Sequence, residues 1–361
     1  MNRSLRLVSV LSALAVGAGC ESNPSTEVVG TPIVNTPEFQ DTDLAVLTTR
    51  VSGFAWDPEA FFFSWITNGG PASPITPIIS EINPLFLRSV TQNAQVTMLD
   101  PVLGKPAVAP VAAAANGFWV SPSVPSRASP PFFSLNAGGG SLPTTQPPGT
   151  PPTLPPIPPV GRYLPTVTLR PIATNHSMCV LQESLAIGDN GILDAVARYL
   201  TATGTPTTAL DFVDPTKFHG VNVFWLFQPG FPMLRAPAPG TTIEATSGQV
   251  FNVAWQPPGA PGLPPGLQSP RGFIVQAGSP TSGLGIIVVT QPASGPKAPG
   301  VRFTVRDDTT DAANRRPWKF DPINAPIVPG VITFAGLQIR PSTFEPPNPY
   351  GPVNGAHLCL P

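Results

Sequence analysis

Fifty-two of the 361 residues are proline and 33 are glycine, and that density governs what this chain can fold into. Together they come close to the level at which low-complexity disorder is the first suspicion. Against wholesale disorder stand 41% hydrophobic residues, with 20 Phe and 6 Trp, enough apolar side chain to build a core. Both facts are met by β-rich bodies with many turns, joined and fringed by proline-rich segments. Only 11% of residues are charged, well below the usual quarter. The formal net charge of −1 gives no electrostatic case for nucleic acid as a partner.

The first twenty residues read as an address. Arg3 and Arg6 give a positive start, Leu7 to Val16 form an apolar run, and Gly17, Ala18 and Gly19 lead into Cys20. That order is the pattern of an export signal, and the run is too short to span a bilayer, which takes about 20 residues. The stretch ending in Cys20 resembles the lipobox of bacterial lipoproteins. Ala18, Gly19 and Cys20 match, while Gly17 stands where that family usually has Leu or another larger apolar residue. The resemblance implies a diacylglycerol on the Cys20 thiol, cleavage before it and acylation of the new amino terminus. Glu21, where inner-membrane retention favours Asp, points to the outer membrane. The rival reading is ordinary secretion, with cleavage after Ala15. Removing residues 1–19 as the signal leaves 342 residues, a soft prior for two domains of about 150 residues each.

Residues 20–43 are polar, lack periodicity and are expected to form a tether. A first β domain is expected over 44–136. Apolar alternation marks 45–56 and 94–100, Asn116-Gly117 is a turn signal before Phe118-Trp119-Val120, and 130–135 supplies a last strand. This order resembles the carboxypeptidase regulatory-like domain, a transthyretin-like β-sandwich. Val51, Gly53 and Asp57 match its first motif, Ala94, Val96, Leu99 and Asp100 approximate its second, and Asn116, Gly117, Phe118 and Pro122 or Pro125 its third. A long insertion over 58–90 departs from it. The resemblance covers about a quarter of the chain and implies a structural or adhesive module without catalysis.

Residues 143–165 hold ten prolines in 23 positions, a composition that favours polyproline II and a semi-rigid spacer. A linker over 137–160 is therefore expected to divide the chain. The second body, 161–361, reads as mainly β with one helix near 190–203. Asp189 or Asn190 can cap that helix, Ile192, Leu193, Val196 and Leu200 form its apolar stripe, and Gly204 can end it. Strands are expected at 221–227, 250–255, 272–276, 285–290, 301–305 and 331–339. The fold class is thus mainly β, with two sandwich-like domains.

Cys179 and Cys359 are the two cysteines besides Cys20, and in an exported body two cysteines usually pair. The alternative is zinc held by His176, Cys179, His357 and Cys359, a suitable ligand set whose spacing matches no zinc motif. Asp307, Asp308, Asp311 and Asn314 gather oxygen donors without the order of a calcium loop, so a solvated turn is expected and no cofactor is assigned. Aromatic side chains cluster at Phe61-Phe62-Phe63 with Trp65, at Phe118-Trp119 and at 224–227. Phe61, Phe63 and Trp65 lie outside any expected strand and are the candidates for a ligand-binding patch.

Catalysis has little to work with. No Gly-x-Ser-x-Gly, His-Glu-x-x-His or phosphate-loop motif occurs. His219, with Asp211 or Asp214 upstream, is the remaining candidate base, and it lacks an identifiable nucleophile. A glycosidase carboxylate pair has no fixed spacing to search for. The expectation is a non-enzymatic, lipid-anchored envelope protein of structural or adhesive type. The second reading is a surface protein that binds polysaccharide or another ligand, and an envelope hydrolase is third. Expected partners are the membrane, through the N-terminal lipid, and an envelope polysaccharide or another surface protein.

Overall fold

The computed structural model describes residues 48–75, 81–127, 129–172, 174, 179–227, 240–262, 266–297, 301–307, 318–319, 323–338 and 340–341. The expected tether, Cys20, His176, His357, Cys359, Asp308, Asp311 and Asn314 lie outside them, as does the side chain of Asp307.

The first half of the chain supplies strands β1 (Thr48–Trp56), β2 (Gln95–Asp100), β3 (Phe118–Pro125), β4 (Phe132–Asn136), β5 (Thr166–Ile172), β6 (Cys179–Leu181) and β7 (Ser184–Leu185). The second half supplies β8 (Phe218–Phe227), β9 (Thr241–Ala245), β10 (Gln249–Trp255), β11 (Phe273–Val275), β12 (Ile286–Pro292), β13 (Val301–Asp307), β14 (Ile323–Ala325) and β15 (Ile332–Gln338). Helices α1 (Pro58–Thr67), α2 (Pro84–Leu87) and α3 (Ile192–Ala202) complete the named elements. The fold is mainly β, and the expected strands form within a few residues of their expected places. At Asn116-Gly117 the turn is made as its residues predict. Gly117 has φ +79°, and the Asn116 side chain accepts from the Phe118 amide at 3.1 Å before β3 begins.

The large sheet runs β11-β10-β12-β8-β15-β5-β4-β2, with two-residue strands at Lys105–Pro106 and Val111–Ala112 on the outer edge of β2. Two of its pairings, β8 with β15 and β15 with β5, are parallel. Strand β8 alternates cleanly. Val221, Val223 and Trp225 enter the core under α1 and α3, while Phe224 and Leu226 enter a second core under the small sheet β9-β13-β14. Phe224, Trp225 and Leu226 of the aromatic run are therefore spent on packing. A four-stranded sheet, with β1 flanked by β3 on one side and β6 and β7 on the other, shares a third core with β2, β4 and β5. Val51, Trp119, Met98 and Phe132 meet there.

The division at 137–160 does not separate two bodies. Strand β4, before the proline run, pairs antiparallel with β5, after it, and the described residues on both sides of the run belong to one compact unit. Nor is the proline run a free spacer. Leu154 is buried in the core beneath α1 and α3. The Arg88 guanidinium donates to the Pro155 carbonyl at 2.5 Å, and the Asn190 amide donates to the carbonyls of Pro158 and Pro159 at 3.2 and 2.6 Å. Proline carbonyls have no ladder to join, so buried side-chain donors satisfy them and convert the segment into a strap.

Helix α1 falls in the stretch read as an insertion. Asp57 caps it, accepting from the amides of Glu59 and Ala60 at 2.9 Å each, and Pro58 takes the first helical position, where no N–H is needed. Every residue from Pro58 to Trp65 is buried. A helix enclosed on all sides carries no polar face, hence no 3.6-residue period to read.

Candidate functional site

Where α1 begins, four polar side chains from distant parts of the chain meet in the core: Asp57, Glu59, Tyr163 and Arg271. Oδ1 of Asp57 serves the helix cap, and its Oδ2 accepts from the Tyr163 hydroxyl at 2.9 Å and from Arg271 Nη1 at 2.6 Å. The same Nη1 lies 3.2 Å from Glu59 Oε2. Oε1 of Glu59 accepts from the backbone amide of Ile192 at 2.5 Å, the first residue of α3. The side chains of Arg271, Asp57 and Glu59 are 0% exposed.

This arrangement alters the expected start of α3. Its N-cap is Gly191, without a side-chain cap of its own, because Glu59 from α1 satisfies the first amide. A Cβ on Gly191 would stand 2.3 Å from Glu59 Oε2, so the residue must be glycine for the carboxylate to come that close. Asn190 instead holds the proline strap, and Asp189 accepts from Gly161 at 3.0 Å. The apolar stripe at Ile192, Leu193, Val196 and Leu200 is buried as expected. Gly204, at φ +100°, follows the C-cap residue Thr203.

Burial pushes the Glu59 carboxyl up to about 8, with Arg271 opposing and Asp57 reinforcing the rise. Burial also drives Tyr163 well above the usual phenol range, and the Asp57 charge adds to it, so Tyr163 remains a hydrogen-bond donor. Burial opposes the charge on Arg271, but Asp57, Tyr163 and Glu59 outweigh it and hold the guanidinium protonated. One consequence is measurable. Glu59 binds a proton in the folded state between pH 4.5 and about 8 that it releases when unfolded, so its contribution to stability is full below pH 4.5 and declines as pH rises through that window. Glu59→Gln is expected to remove this slope. Urea unfolding at several pH values should show wild type losing stability relative to the variant from pH 5 to 8.5, and a constant difference would refute the assignment.

The side chains of Asp57, Glu59 and Arg271 are wholly buried, and the cluster fastens elements together. It ties α1, the chain entering β5, the first turn of α3 and the loop before β11 at one point. The sequence readings miss it because its members stand at 57, 59, 163 and 271. The local signal present was Asp57-Pro58-Glu59, a cap, a first-turn proline and a first-turn acid.

The structure moves the proposed aromatic patch indoors. Phe61, Phe63 and Trp65 are 8, 3 and 8% exposed. Phe61 meets Trp56 edge-on at 5.7 Å, and Trp65 meets Phe62 at 5.8 Å. They are core residues of α1 and its surroundings, and the ligand-binding role assigned to them is withdrawn. His219 does not assemble with the acids upstream of it. Its Nε2 lies 3.3 Å from the Gly295 carbonyl. Asp211 binds Lys217 and the Thr208 amide, and Asp214 binds Thr216. Cys179 opens β6 beside β1. Among the described residues no group of three or more His, Cys, Asp or Glu is placed to hold a metal.

A groove of about 560 Å³ lies between α3 and the loops around Thr208 and Gly266. Its charged lining is already committed, with Asp194 paired to Arg198 at 2.5 Å and Asp189 to the Gly161 amide. Among the described residues no helix is long and apolar enough to cross a membrane.

No protein-family model and no curated protein matches the chain. Among solved structures, it aligns with the minor pilin GBS52 of Streptococcus agalactiae at 9% identity and a TM-score of 0.20, covering 83% of this chain and all of that one. It aligns with a streptococcal ancillary pilin at 9% identity and a TM-score of 0.18, covering 83% of this chain and 64% of that one. At such scores neither likeness carries an argument about fold or function.

Proposed function

We propose that this chain is an exported envelope protein of structural or adhesive type, held at the outer membrane by a lipid on Cys20. The observation that supports this most is how the body spends its chemistry. Its buried carboxylates and arginine are locked to one another and to backbone amides, and its aromatic clusters fill cores. That is the construction of a rigid displayed body, and the arginine-led apolar signal ending in Cys20 supplies the address. Two or three acyl chains, each methylene contributing about 0.8 kcal/mol when buried, anchor a protein firmly. In this reading Cys179 pairs with Cys359 and ties the end of the chain back to the edge of β1.

Mass spectrometry of the mature protein tests both statements. The expected amino terminus is a diacylated or triacylated Cys20, and Cys20→Ser should move the protein from the membrane to the soluble fraction. An unmodified terminus at Val16 would overturn the anchor. A non-reduced digest should yield one peptide pair joining Cys179 to Cys359, and a link between two chains would overturn the intrachain bridge.

A further inference from the structure

The turn between β2 and Lys105 presents Val102 and Leu103, 69% and 60% exposed, side by side. Among the described residues the other large exposed apolar side chains, Ile82, Leu210 and Val250, are far from one another in sequence, and scattered apolar residues are ordinary on a protein surface. Every residue from Pro101 to Pro106 is exposed, and the sole charge in that run is Lys105.

This apolar tip is held in place and is not a loose loop. Asp100 Oδ1 accepts from the amides of Val102 and Leu103 at 2.9 and 3.2 Å, and the Asp100 carbonyl accepts from Gly104 at 2.9 Å. Gly104 at φ +61° lets the chain close the turn without strain. The other carboxylate oxygen of Asp100 binds Arg127 Nη1 at 2.7 Å, and the Arg127 guanidinium lies 3.7 Å above the ring of Phe132. The turn is thus braced through its acid to the core.

The bracing also fixes which end of the body carries the tip. Arg127 follows β3, whose Pro125 pairs with Thr48, the point where the chain enters the body. Thr174 joins the two, its carbonyl accepting from Thr49 and its hydroxyl from the Arg127 amide. The apolar tip and the entry of the chain from Cys20 therefore share one end.

We propose that Val102 and Leu103 insert into the surface of the lipid bilayer to which the protein is anchored, with Lys105 at the headgroups. The inference rests on the lipid-anchor reading above. Twenty-eight residues from Cys20 to Thr48 cannot reach beyond about 100 Å, so an anchored body meets its membrane at high effective concentration. A contact too weak to recruit a free protein is then sufficient to orient a tethered one. An exposed tip with a neighbouring cation, whose adjacent acid Asp100 is buried and paired with Arg127, fits a lipid interface, where apolar side chains enter and a lysine stem extends back to the headgroups.

The test uses the lipidated full-length protein carrying Leu103→Trp, in vesicles of phosphatidylethanolamine with a minor share of phosphatidylglycerol, with and without brominated acyl chains. Flotation reports the anchor separately. In floating protein, the emission that Leu103→Trp adds over the parent is expected to fall at least twofold in brominated vesicles, and adding Val102→Asp should restore most of it. Equal emission in both vesicles from protein that floats overturns the insertion and leaves the tip to a protein partner. Protein that does not float overturns the anchor and the insertion together.

Discussion

Arg271→Met is expected to lower the free energy of unfolding at pH 8.5 by about 3–5 kcal/mol, the range found when one partner of a buried ion pair is removed. The side chain is wholly enclosed and is the countercharge to both Asp57 and Glu59. Without it, Asp57 is left with no cation, and Glu59, whose rise Arg271 opposes, is pushed up further and must hold its proton even at pH 8.5. The cost should be smaller at pH 5, where Glu59 carries its proton with or without Arg271 and only the Asp57 charge loses its partner. A double variant with Glu59→Gln should recover part of the loss, giving a coupling of about 0.5–3 kcal/mol, as for residues in one network. Arg271→Lys gives a further discrimination. Only Nη1 bonds the carboxylates, and Nε and Nη2 find no partner among the described residues. A single ammonium should therefore preserve more of the stability than methionine does. Equal urea midpoints for wild type and Arg271→Met at pH 8.5 would mean that the cluster does not fasten the core.

That cluster also marks the limit of what could be read from the chain. Strand positions were legible because alternation and turn residues are local signals. β8 and β12 stand close to their expected places, and α3 was announced by its stripe. Helix α1 was hidden by its own burial, since Phe61, Phe62, Phe63 and Trp65 leave no polar side to set a period. The same burial made those rings look like an unassigned surface patch. The proline run misled in another way. Its composition favours an extended spacer, but the donors that fix it, Arg88 and Asn190, lie far away in sequence and carry no mark of that task. The domain boundary failed for the same reason, because the pairing of β4 with β5 across the strap is a tertiary choice. Asp57 and Gly53 match a motif in the sequence, and only packing shows what each does.

Gly53→Ala is the second large effect, and it rests on a backbone contact. A Cβ at residue 53 would lie 1.9 Å from the Gln182 carbonyl oxygen and 2.7 Å from its carbon. Both are main-chain atoms, so no rotamer change can yield. The segment cannot easily withdraw either. On one side Arg50, Val51 and Ser52 pair in parallel with Cys179, Val180 and Leu181. On the other, Ala55 and Trp56 pair with Ser184 and Leu185 in the same register. The Gln182 amide donates to Ser52 at 2.8 Å in between. Relief therefore means parting β1 from β6 and β7 along its length. Overpacking of a close contact costs about 1–3 kcal/mol, and more where backbone must shift, so a loss of about 3 kcal/mol is expected in urea melts. Hydrogen exchange should locate it, with amides at 180–186 losing protection before those of β8. Exchange that accelerates uniformly across both sheets would show instead that the contact is held by the fold as a whole, and that β6 and β7 do not open as a unit.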